Sequence, residues 1–155
     1  MKKQALRAVT MLVSIIVFAF ATAVATTAQS GGNTLRADIP FDFVVGNKTL
    51  SAGQYRLNQI SADGSGLSVR NSNGRHNAIR LTNPVTAKAP TKKSMLTFRR
   101  YGNTYFLAQI WVSGSAEGRE MIKSTAERDL AKGEAEAGLA QNAKPQIVTI
   151  VANVE

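Results

Sequence analysis

A chain of 155 residues with no cysteine and one histidine, His76, holds no disulfide framework and no zinc site of the His/Cys type, and a Ser-His-acid triad would rest on His76 alone. Its 19 basic and 10 acidic residues give a formal net charge of +9, and 44% of the residues are hydrophobic, enough for one core and not for two. Such a charge balance points to anionic partners, and which anions the protein meets depends on where it resides.

The first element answers that. Lys2, Lys3 and Arg7 precede an almost wholly apolar run from Ala8 to Ala25, and no charged residue then follows until Arg36. Small residues crowd the end of the run, with A-x-A-like sites at Ala23-Val24-Ala25 and Thr26-Thr27-Ala28. This is the layout of a secretory signal peptide over residues 1–28, cleaved after Ala28 to leave Gln29 first. The competing reading is a retained anchor, since about 18 apolar residues approach a membrane span. Thr10, Ser14, Thr22, Thr26 and Thr27 weigh against it, as does the lack of a cationic flank after the run.

Without cysteine there is no lipoprotein acylation, and the opening pair is lysine rather than twin arginine, so export of the unfolded chain is expected. The mature protein is then periplasmic or extracellular. Removing residues 1–28 takes two lysines and one arginine, so the charge falls by three from +9 to +6. The partners in reach are anionic polysaccharide, a lipid surface or an envelope protein; nucleic acid is not expected. The competing reading of the charge is simple solubility.

Residues 29–34 read as a flexible lead-in, and 35–155 as a single β-rich domain. Leu35, Ala37, Ile39, Phe41, Phe43 and Val45 share one parity and Arg36, Asp38, Pro40 and Asp42 the other, the pattern of a half-buried strand. Pro40, on the outward parity, marks an edge or bulge. Turns are predicted at Gly46-Asn47, at Ser51-Ala52-Gly53, at 62–66 and at 71–74, with short strands around Tyr55 to Asn58, Leu67 and Val69, and Ala78 to Asn83. Pro84 is expected to end the last of these and to open an exposed connection as far as Ser94.

Met95 to Val112 predicts a hairpin looped at Gly102-Asn103, in which Tyr101 faces Thr104, Arg100 faces Tyr105 and Phe98 faces Leu107. Its second strand is apolar on both parities and is expected to be covered on both sides. Ser124-Thr125-Ala126-Glu127 has capping-box spacing and starts a thin helix with Leu130 as its one large apolar residue, fraying before Asn142. Ile147 to Val151 adds a last strand. The fold class is mainly β, an antiparallel β-sandwich or barrel-like sheet of about seven to nine strands with one short helix near the C-terminus. An outer-membrane barrel, which needs at least eight longer segments, fits less well.

Ile39-Pro40-Phe41-Asp42-Phe43-Val44-Val45-Gly46-Asn47-Lys48-Thr49-Leu50, Ala52-Gly53-Gln54-Tyr55 and Arg100 to Leu107 together resemble a group of small exported bacterial β-proteins of unknown function. Ser51 stands where proline is expected in that pattern. The resemblance implies export and a fold type, and carries no catalytic residue.

No catalytic, metal-binding or cofactor motif is recognisable. The glycines of 63–67 lack the spacing and following helix of a phosphate loop. His76 beside its turn reads as a solvated loop residue. The candidate binding residues are Lys88, Lys92 and Lys93 in the exposed connection with Arg99, Arg100 and Tyr101 on the hairpin, because cations beside aromatic rings suit anionic or sugar ligands. The bland reading is that the aromatic rings are core and the arginines reach out to water. The function expected is that of an exported non-enzymatic protein binding an anionic polymer, glycan or partner protein. The alternative is a small hydrolase of envelope polymers using carboxylates such as Asp38, Asp42, Glu117 and Glu120.

Overall fold

The computed structural model describes residues 34–75, 77–134 and 145–155; the signal-like segment, nearly all of the 29–34 lead-in, His76 and the stretch after Glu134 where the helix is expected to fray lie outside them. In chain order the elements are β1 (Leu35–Ile39), β2 (Phe43–Val45), β3 (Lys48–Leu50), β4 (Gly53–Gln59), β5 (Gly66–Asn71), β6 (Asn77–Thr86), β7 (Met95–Tyr101), β8 (Thr104–Trp111), β9 (Glu117–Met121), α1 (Thr125–Glu134), β10 (Gln146–Val151) and β11 (Asn153–Val154). The protein is mainly β with one helix near the C-terminus, as the alternation predicts. No helix among the described residues is long and apolar enough to cross a membrane.

The strands hydrogen-bond in the order β10-β7-β8-β9-β6-β5-β4-β1-β11, with β2 joining β3 to β8. The chain passes from one group of strands to the other at two places. Residues 77–81 of β6 pair with β5 and residues 82–86 with β9. Likewise β10 pairs with β7, and after the buried Ala152 the chain continues as β11 against β1. Side chains from β1, β4 and β5 and from β2, β7 and β8 therefore fill one core, where the Phe43 ring meets Tyr55 edge-on at 5.0 Å and Phe98 at 5.6 Å. This is sandwich packing in which strands change sheets at the corners. No described ladder joins β10 to β11, so the sheet is not closed into a barrel.

The run read as one first strand is two. It breaks at Pro40 to Asp42, and β1 pairs with β4 whereas β2 runs parallel to β8, with Phe43 opposite Tyr105. That parallel pair makes the sheet mixed rather than purely antiparallel. Parity survives the break: Leu35, Ala37, Ile39, Phe43 and Val45 are buried, and Phe41 is half-buried with its ring stacked on Tyr105 at 4.0 Å. The exposed Asp42 uses the break, its Oδ1 accepting the amide of Ala52 at 2.8 Å and so holding the turn before β4.

The predicted hairpin has the predicted register: Tyr101 opposite Thr104, Arg100 opposite Tyr105, Phe98 opposite Leu107. Gly102 supplies the positive φ, +54°, and Asn103 does not, the pattern of a type II′ turn. A bulge then opposes Thr97 and Phe98 to Gln109 and Leu107, leaving Ala108 without an opposite residue. The bulge shifts parity, so Leu107 and Ile110, three residues apart, both enter the core while Phe106, Ala108 and Trp111 are buried outside that cluster. β8 is thus covered on both sides, as expected.

Two expectations fail locally. Pro84 does not end a strand: β6 runs through it to Thr86, with Pro84 opposite Arg119, because here β6 has β9 on one side only and a missing amide on the other costs no ladder bond. The exposed connection is correspondingly shorter. β9 has no signal in the sequence, since Glu117 to Met121 has neither alternation nor β-prone residues. Its pairing on both sides, with β6 and β8, makes it a strand. Gly118 is needed there, because a Cβ would stand 2.6 Å from Trp111 Cε3 and 2.9 Å from the Ile110 carbonyl.

Candidate functional site

The residues singled out on the hairpin separate when the chain folds. Arg99 and Tyr101 are 6% and 3% exposed, so neither reaches water. Arg99 donates from Nε and Nη2 to the two carboxylate oxygens of Glu127, itself 2% exposed, and from Nη1 to Glu120 Oε1 at 3.3 Å. The Tyr101 hydroxyl adds a bond to Glu127 Oε1 at 3.4 Å. The Ser124 hydroxyl caps α1 as predicted, accepting the Glu127 amide at 3.1 Å. Glu127, however, does not complete a capping box; its carboxylate turns to Arg99. It is this carboxylate, and not Leu130 at 41% exposure, that anchors the helix to β7.

Arg100 points the other way. It is half-buried, its guanidinium 5.2 Å from the centroid of Tyr105, and it donates to the Gly102 carbonyl at 2.8 Å and to Gln146 Oε1 at 3.3 Å. Lys88, Lys92 and Lys93 are exposed, in a loop pinned to the β8–β9 turn by the Thr91–Ser115 and Gly114–Thr91 backbone bonds. The expected single surface joining these lysines to Arg99 is therefore not formed, since α1 covers Arg99.

A different cationic group does come together. Arg36 on β1 lies opposite Arg56 on β4, and Arg56 lies opposite Arg70 on β5, so three guanidinium side chains stand in one row across three adjacent strands on the outer face. Like charges placed directly opposite repel. A single residue offsets two of them: Glu155 pairs with Arg36 at 3.2 Å and with Arg56 at 3.0 Å, and its amide is fixed by the Thr34 carbonyl. Arg36 also donates to Gln54 Oε1 at 2.6 Å. The exposed Arg70 has only the hydroxyl of the buried Ser68, at 3.2 Å, and no ion pair among the described residues. Beside the row is a hollow of about 650 Å³, lined by Arg56 and Arg70 together with Asn58, Asn71, Asn77 and Glu155. Its walls offer hydrogen-bond donors and two strong cations, suited to holding anionic or polyhydroxyl groups.

Each of these arginines sits on the outward parity of its strand, a signal present in the sequence. What parity alone lacks is the register that sets them side by side, and register comes from pairings between strands distant in the chain.

The carboxylates considered for hydrolysis are dispersed. Asp38 is on β1, Asp42 holds the Ala52 amide, Glu117 is exposed on β9 and Glu120 pairs with Arg99. No group of three or more metal-ligating side chains forms among the described residues. The 62–66 segment is a tight turn made by Asp63, whose carboxyl is held down at about 2 by the Ser65 amide and by the hydroxyls of Ser61 and Ser65. Its hydrogen bonds are those of a turn, the Asp63 carboxylate accepting the Ser65 amide and hydroxyl and the Ser61 hydroxyl accepting the Gly66 amide. Comparison with models of known protein families, with curated proteins and with solved structures found no match to this chain.

Proposed function

We propose that this chain is an exported, non-enzymatic protein of the envelope or its surroundings that binds an anionic polymer along the arginine row Arg36–Arg56–Arg70. The observation that supports this reading is the opposed register of three outward arginines against one carboxylate residue, Glu155. Neighbouring strands lie about 4.8 Å apart, so the row presents cations at a regular short spacing; Arg70, in no ion pair among the described residues, can take a carboxylate or phosphate in bidentate fashion, while Arg36 and Arg56 keep Glu155 and add their charge. The exposed lysines of the β6–β7 loop add long-range attraction. Because all of these charges face water, the affinity is weak and salt-sensitive, falling as the screening length drops to about 10 Å at 0.1 M salt.

The test is retention of the purified protein on an acidic polysaccharide column as a function of salt. The wild type is expected to be held at low ionic strength and released near physiological strength. An Arg56→Gln, Arg70→Gln double variant should elute at distinctly lower salt with an unchanged or slightly raised thermal midpoint, since it loses two opposed like charges. A Lys88→Glu, Lys92→Glu, Lys93→Glu variant should weaken retention less. Absence of retention at low salt, or equal retention of the arginine variant, overturns the proposal; release of reducing ends from the polymer overturns it in favour of the hydrolase. Export is checked by intact mass. Protein from the native host should begin at or near Gln29, and a species that keeps Met1 to Ala25 refutes that part.

A further inference from the structure

A second hollow, of about 480 Å³, lies between the first half of β6, the β2–β3 turn and the start of α1. Its chemistry differs from that of the arginine face. Ile79, Leu81 and Ile122 line it and remain 57%, 65% and 55% exposed, a concentration of aliphatic surface that a solvated sheet has no need to display. Around these stand Arg80, Lys123 and Arg128, and no carboxylate is among the described lining residues. Arg80 donates only to the Ile79 carbonyl at 3.1 Å and Arg128 only to Thr125 Oγ1 at 3.2 Å, and neither is in an ion pair among the described residues.

From this combination we infer that the groove is a binding site for a single-chain anionic amphiphile, a medium- or long-chain carboxylate whose alkyl tail covers Ile79, Leu81 and Ile122 while its head group sits between Arg80 and Arg128. Charge complementarity selects the head: three cations, none of them in an ion pair among the described residues, favour an anion and oppose a cationic or neutral amphiphile. The aliphatic lining selects the tail. A polysaccharide gains nothing from three exposed isobutyl and sec-butyl groups, so this site is separate from the polymer-binding row and stands whether or not that reading holds. The volume falls in the range of small-molecule pockets, about 300–1,000 Å³.

The experiment is titration calorimetry of the purified protein with dodecanoate and dodecyltrimethylammonium, each kept below its micellar concentration, and with dodecanol below its solubility limit. Dodecanoate should bind saturably at one site, and the other two at least about tenfold more weakly. Arg80→Gln, Arg128→Gln together, and Leu81→Ser alone, should each weaken dodecanoate by about tenfold. Both changes are at the surface, so the thermal midpoint should stay as in the wild type, and the charge-neutral Leu81→Ser variant should keep the wild-type retention on acidic polysaccharide; that control separates failure of this site from failure of the polymer site or of the fold. Equal binding of the cationic amphiphile, no saturable binding, or a Leu81→Ser variant that binds as the wild type does would overturn the assignment. So would a protein that elutes as a dimer and becomes monomeric on Leu81→Ser, which would mean that a second copy covers the groove.

Discussion

Replacing Glu127 with alanine is expected to destabilise the domain by about 3–5 kcal/mol, the range for removing one partner of a buried ion pair. The carboxylate is 2% exposed and receives Nε and Nη2 of Arg99 and the hydroxyl of Tyr101. Its loss leaves Arg99, 6% exposed in the intact domain, with a single carboxylate contact, to Glu120 at 3.3 Å, and the Met121 carbonyl at 3.5 Å. A charge in that position has neither water nor a sufficient counter-ion. Glu127→Gln should cost less, because the amide oxygen still accepts from Arg99. Replacing Arg99 and Glu127 together with leucine and methionine should recover much of the loss, since a buried pair exchanged for apolar groups of similar volume is often close to neutral. Urea midpoints of the three variants check this. A cost below about 1 kcal/mol for Glu127→Ala would mean that α1 is not held to β7 through this pair.

The Glu127 result also marks where sequence reading stops. The Ser124 cap is local, three residues from the amide it serves, and is legible. The carboxylate's destination lies 28 residues back in the chain and is not. Arg99 and Arg100 look alike as a basic pair, yet alternation sends one under α1 and the other onto the Tyr105 ring. Nothing in the hairpin announces that a helix will close over one face. The same division runs through the fold. Two-residue glycine turns are local and legible at Gly46-Asn47 and Gly102-Asn103, and at the second the turn carries the β7–β8 register with it. The parallel pairing of β2 with β8, the change of partner halfway along β6, and the existence of β9 all depend on contacts between distant segments, and β9 has no pattern of its own. The arginine row belongs with these: its members are outward by parity, but their alignment is a consequence of the β1–β4–β5 register.

Phe43→Ala is the second large effect, expected at about 3–5 kcal/mol, as for other buried phenylalanines. Phe43 is 1% exposed and its ring sits at 5.0 Å from Tyr55 and 5.6 Å from Phe98, so truncation opens a cavity where the two groups of strands meet. Phe41 has the same parity but is half-buried on Tyr105, and Phe41→Ala should cost distinctly less. Between them, Asp42 faces water: Asp42→Asn keeps an acceptor for the Ala52 amide and should stay within about 0.5 kcal/mol of the wild type, whereas Asp42→Ala removes it and should cost about 0.5–1.5 kcal/mol, the net worth of one hydrogen bond. Chemical denaturation of the four variants gives the order Phe43→Ala, Phe41→Ala, Asp42→Ala, Asp42→Asn. A Phe43→Ala loss no greater than that of Asp42→Ala would show that the inward parity does not continue across the break at Pro40, and with it that β2 does not deliver its ring to the shared core.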